Sequence, residues 1–116
     1  MPTVNIYLSP NAPREKIVPL LPLFRERIAQ QLTSVQRRIV PVEVSIRVMT
    51  VDAAAMISPF EMEIKAQQYS DRVKRCDEIC LHLKEFVLSH APYLPDVSVW
   101  LELTELGHSF IDTTGA

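Results

Sequence analysis

Apolar and polar residues alternate over four stretches of this chain and recur at helical spacing over two others. In Thr3–Leu8, Val4, Ile6 and Leu8 fall on one side and Thr3, Asn5 and Tyr7 on the other, the period of a half-buried strand. The pattern returns over residues 42–51, where Val42, Val44, Ile46 and Val48 oppose Glu43, Ser45, Arg47 and Met49. It returns over 60–66, with Phe60, Met62 and Ile64 against Glu61, Glu63 and Lys65. A last strand over 97–105 sets Val97, Val99, Leu101 and Leu103 against Ser98, Trp100, Glu102 and Thr104. After the first strand, Ser9-Pro10-Asn11-Ala12-Pro13 breaks the chain, and a short turn over 14–18 follows. A helix then starts with Pro22 in its first turn, where proline is tolerated. Phe24, Ile28, Leu32 and Val35 form its apolar face, and Pro41 ends it. Asp52 to Pro59 reads as a loop or a short helical turn. The second helix starts near Ser70, with Ser70 or Asp71 as its cap. Its core stripe is Val73, Cys76, Cys80, Leu83 and Val87, widened by Ile79 and Phe86, and Pro92 and Pro95 terminate it.

The order is therefore β-α-β, loop, β-α-β. A helix between two strands makes each half a parallel pair. The expected fold is α+β: a duplicated β-α-β forming one four-stranded mixed sheet with two helices on one face. It occupies a single domain, 1–116, with halves at about 2–52 and 60–106. The other face of the sheet then carries mixed polar residues together with Tyr7 and Trp100. Parallel strands rarely leave a face open to water, so packing of that face against further copies of the chain is expected.

Composition narrows the function. A formal charge of −2 leaves no basic footprint for nucleic acid. No apolar run approaches the ~18 residues of a membrane span, and no secretory leader pattern opens the sequence. Two glycines in the whole chain argue against phosphate-cradling loops and dinucleotide fingerprints. Cys76 and Cys80 suggest reduced thiols and a cytoplasmic setting. With His82 or His90 they could hold zinc, but both lie on the core stripe, where cysteine behaves as a small hydrophobe. No metal site is expected, and no nucleophile triad spacing is present.

Pro2 is the main candidate for chemistry. If Met1 is removed, Pro2 becomes a secondary amine with an ordinary pKa near ~8, closer to neutral than lysine. Burial or a neighbouring arginine lowers it further, and the strand that follows would hold it as a general base must be held. With Met1 in place the nitrogen is a tertiary amide and no base. Arg47 is either a ligand clamp or half of an ion pair with Glu43 or Glu102 across strands. Arg72, beside Lys74 and Arg75, is either a ligand or part of a solvated helix start. Trp100 is a pocket wall or interface packing, and Tyr7 a donor or packing.

Pro2, the doubled β-α-β and the one-sided helix layer together resemble the tautomerase superfamily. Within it the chain looks most like the 5-carboxymethyl-2-hydroxymuconate isomerase family. The similar segments are Asn11 to Lys16, Leu21-Pro22-Leu23-Phe24, Arg47-Val48 to Val51-Asp52 with Met56, and Leu101-Glu102-Leu103 to His108. The resemblance implies a homotrimer with an inner barrel of sheets and an active site around each Pro2 near a subunit boundary. It implies that the proline amine moves a proton next to a carbonyl while arginines hold the substrate carboxylate, with neither cofactor nor metal. By position Pro2 matches the base, and Arg47 and Arg72 match arginines; where the family offers a further strand arginine this chain has Ser45. The function so implied is a tautomerase or isomerase acting on a small carboxylate-bearing keto or enol acid, as in aromatic compound catabolism. A catalytically inactive trimer with a binding or signalling role is the alternative. A plain α+β binding domain with an incidental Pro2 is the third.

Overall fold

A computed structural model describes residues 2–52 and 57–105. The resemblance segments at Met56 and His108 lie outside the described residues. The strands are β1 (Thr3–Leu8), β2 (Ser45–Thr50), β3 (Phe60–Gln67) and β4 (Val97–Thr104). The helices are α1 (Arg14–Ile17), α2 (Leu21–Leu32), α3 (Ser70–Lys74) and α4 (Cys76–His90). The sheet order is β2-β1-β3-β4. β1 runs parallel to β2 and β3 parallel to β4, while β1 and β3 meet antiparallel along the centre. This is the expected four-stranded mixed sheet built from two β-α-β halves.

The alternation sets the layers. Val4, Ile6 and Leu8 of β1 and Phe60, Met62, Ile64 and Ala66 of β3 are buried on one face. Ile17, Phe24, Ile28, Leu32, Ile79, Leu83 and Val87 cover them from the helices. Phe24 is the wedge between layers, edge-on to Phe60 at 5.9 Å and to Phe86 at 6.3 Å, an arrangement that aromatic quadrupoles favour.

Three boundaries differ from the sequence pattern, and the first two differences have a polar cause. The first helix ends at Leu32, so Val35 is outside it and 93% exposed. Thr33 turns extended (φ −60, ψ 126), and Ser34 and Arg37 close a tight turn through two backbone bonds of 2.8 and 3.1 Å. The second strand starts at Ser45, because Pro41–Glu43 form a 3-10 turn in which the Glu43 carboxylate accepts the Val40 N–H. The Arg25 side chain donates to the carbonyls of Val44 (2.9 Å) and Val42 (3.1 Å), and Val42 is exposed. The second helix is interrupted at Arg75, which rotates the start of the stripe. Val73 faces solvent, Cys76 and Cys80 are half-buried, and Arg72 takes the inward position that the pattern assigns to Val73. Neither Ser70 nor Asp71 caps that helix; Tyr69 is the cap residue and makes no side-chain cap bond.

The register arranges the second face in rows. One row is Arg47, Asn5, Glu63 and Trp100. Asn5 links it, donating to Glu63 Oε1 at 3.1 Å and accepting from Arg47 Nη1 at 3.5 Å. Within one chain, then, Arg47 meets Asn5 rather than Glu43 or Glu102, and Glu43 pairs with Arg37 instead. Trp100 is 60% exposed on this face. Among the described residues no helix is long and apolar enough to cross a membrane.

Candidate active site

Pro2 precedes β1 and is buried. Its carbonyl accepts the Ser45 N–H at 3.1 Å, which extends the β1–β2 pairing and fixes the residue to the sheet. Beside it lies a cavity of about 250 Å³ lined by Pro2, Arg37, Ile39, Gln67, Tyr69 and Arg72. Three distant segments therefore converge: the start of β1, the loop between α2 and β2, and the exit of β3 into α3.

Arg72 is the most unusual wall residue, being only 1% exposed. Its Nε donates to the Leu32 carbonyl and its Nη1 to the Gln67 carbonyl, both at 2.7 Å. These bonds join the end of α2 to the end of β3. Nη2 is buried with no partner among the described residues, and the guanidinium carbon lies 4.8 Å from the Tyr69 ring centre. Burial pulls the Arg72 pKa down, with the charges of Tyr69 and Asp71 opposing and that of Arg37 adding to it. A guanidinium stays charged even so, and an unpartnered N–H on a buried cation is costly until an anion or water reaches it.

Arg37 reaches the same cavity from the loop. Its guanidinium pairs with Glu43, whose carboxyl is held below its usual range, chiefly by the Val40 N–H and then by Arg37. Asp71 anchors this loop: Ser34 Oγ donates to Oδ1 at 2.7 Å and the Val35 N–H to Oδ2 at 3.1 Å. Two guanidinium groups and a phenol thus border one space beside Pro2. Such a wall favours a planar anion, since guanidinium matches carboxylate geometry.

Of the residues singled out from the sequence, Pro2 and Arg72 meet in this cavity. Arg47, Tyr7 and Trp100 do not; they stand on the opposite face of the sheet. Trp100 sits on the edge strand β4, beside a groove of about 290 Å³ shared with Leu81 and Lys84. Arg37 and Tyr69 were missed. The only local hint of Arg37 is the polar run Gln36 to Arg38 directly after the apolar stripe. A larger groove of about 620 Å³ lies between α2 and the edge strand β2, but its Arg25 is already bonded to two carbonyls. No group of three metal-ligating side chains gathers among the described residues. Burial, the largest cause, pushes the Cys80 thiol up to about 11, so it is a poor ligand.

No protein-family model and no curated protein matches this chain. Solved structures do. A 5-carboxymethyl-2-hydroxymuconate delta-isomerase superposes with a TM-score of 0.66 at 12% identity, over 99% of this chain and 89% of that one. A macrophage migration inhibitory factor-like protein from Entamoeba histolytica gives 0.60 at 12% identity, over 90% and 88%. A fused 4-OT solved as a symmetric trimer gives 0.61 at 14% identity, over 89% and 85%. At these identities the likeness establishes the architecture: the chain has the tautomerase fold.

Proposed function

We propose that this chain is a cofactor-independent tautomerase in which Pro2, freed by removal of Met1, shuttles a proton on a small carboxylate-bearing keto or enol acid. The observation that carries the reading is the meeting of buried Pro2 with Arg72 and Arg37 around one cavity. An amine in that setting has two reasons to be neutral near pH 7: burial and two adjacent positive charges. As a base, its lone pair takes a proton from the carbon next to the substrate carbonyl, and the electrons move onto the oxygen as an enolate. Fixed positive charge beside that oxygen lowers the barrier. The ammonium then returns the proton at another carbon, so no electron leaves the cycle and no co-reactant is needed.

A homotrimer belongs to the same proposal. It is supported by the trimeric fused 4-OT neighbour and by the exposure of Trp100 on a sheet face that no helix covers among the described residues. In such an assembly Arg47, Tyr7 and Trp100 would act on a site shared with a neighbouring copy. A cytoplasmic setting goes with this reading. One observation favours a second reading, a non-catalytic binding protein of the same fold: both cavity guanidinium groups already hold partners, Arg37 on Glu43 and Arg72 on two carbonyls.

The deciding experiment is ketonisation of phenylenolpyruvate by protein whose intact mass shows Met1 removed. Turnover that is lost in Pro2→Ala supports the enzyme. Absence of turnover in the Met-free protein across several enol acids selects the binding protein. Sedimentation as a clean monomer removes the trimer.

A further inference from the structure

Asp71 lies beside the cavity and does not line it, yet it ties down the turn that carries one of the cavity's cations, Arg37. Its two carboxylate oxygens bind Ser34 Oγ and the Val35 N–H, 37 and 36 residues away in sequence. Ser34 Oγ also accepts the Gln36 N–H at 3.1 Å, and Ser34 and Arg37 exchange two backbone bonds. The start of the turn that delivers Arg37 is therefore tied to one carboxylate, while its far end is tied to Thr33, whose Oγ1 accepts the Ile39 N–H at 3.1 Å. The next residue, Arg72, fastens the same stretch of chain two residues earlier, at the Leu32 carbonyl. Asp71 and Arg72 are thus a double clasp between α3 and the exit of α2. Ser34 is itself buried, 5% exposed, so water competes poorly for its bond to Asp71. These bonds hold the Asp71 carboxyl below the usual carboxylate range, with the Ser34 hydroxyl the largest cause. A free loop would lose Arg37 from the cavity at no cost in core packing, since Val35 to Arg38 are all exposed.

We infer that Asp71 is a positioning residue: through Ser34 and Val35 it fixes the α2–β2 loop so that Arg37 and Arg72 stand together at Pro2. The inference rests on the Pro2 cavity being the functional site, and its test separates the two. Hydrogen exchange is followed at the Val35, Gln36 and Arg37 amides in wild type, Asp71→Asn and Ser34→Ala. Exchange at least about tenfold faster in both variants, with the β1 and β3 amides unchanged, is expected. Steady-state kinetics on phenylenolpyruvate then compares Asp71→Asn, Arg37→Ala and the double variant. Asp71→Asn should raise KM several-fold more than it lowers kcat, and should add little in the Arg37→Ala background, because the loop then has no cation to place. Unchanged exchange in both variants overturns the inference, as do KM effects that simply multiply. Exchange needs no turnover, so it still decides the matter if Pro2→Ala proves that the proline reading is wrong.

Discussion

Replacing Arg72 with Met tests whether a buried cation holds this fold together. Methionine keeps the apolar stem and removes the charge. The variant loses two charge-assisted hydrogen bonds of 2.7 Å, to Leu32 and Gln67. Bonds of that kind contribute about 1.5–3 kcal/mol each, so about 3–6 kcal/mol is lost. Against this stands the buried Nη2, which has no partner among the described residues. Its removal returns about 1–3 kcal/mol. The net expectation is a destabilisation of about 3 kcal/mol, which for a chain of this size lowers Tm by roughly 10 °C. Urea titration followed by far-UV circular dichroism measures it, and the midpoint should fall with the slope m unchanged. Added salt should alter the difference little, because a group 1% exposed is poorly screened. A variant as stable as wild type, or more stable, would refute the reasoning. It would mean that desolvation of the cation outweighs its bonds, as happens for some buried ion pairs, and that Arg72 serves a ligand rather than the fold.

Two further outcomes follow from the same geometry. Asp71, Glu43 and Asp96 all have carboxyls held below their ordinary pKa by hydrogen bonds that the unfolded chain lacks. A depressed folded pKa contributes stability above the unfolded value of about 4 and loses it as pH falls through the folded one. Tm should therefore be flat from pH 7 to about 5 and fall below about 4, and Asp71→Asn should make that fall shallower; a parallel fall in the variant excludes Asp71 as a contributor. Cys80, with its thiol pushed up to about 11, should resist alkylation by iodoacetamide at pH 8 in a Cys76→Ser variant and react fully in urea; equal rates in both conditions would contradict its burial.

The period-2 alternation by itself determined which residues of β1, β3 and β4 face the helices, because adjacent side chains on a strand must point to opposite sides. The βαβ order determined the parallel pairs, and the fall of Phe24, Ile28 and Leu32 on one stripe determined how α2 seats on the sheet. Pro2 and Arg72 were both visible as candidates, but no local pattern said that they meet. Val35 and Val42 continued apolar periods by coincidence of spacing and ended up exposed, because Thr33 and the Pro41–Glu43 turn redirect the backbone. Arg72 read as either a ligand or part of a solvated helix start, since nothing local marks it as buried: Gln67 is only five residues away, but the other acceptor, Leu32, lies 40 residues away. The turn that carries Arg37 is bonded to Asp71 across a similar separation. Hydrophobic period is a property of one element and is written in its own residues. The polar bonds that bury a guanidinium and aim a loop join elements far apart in the chain, so only the folded structure decides them.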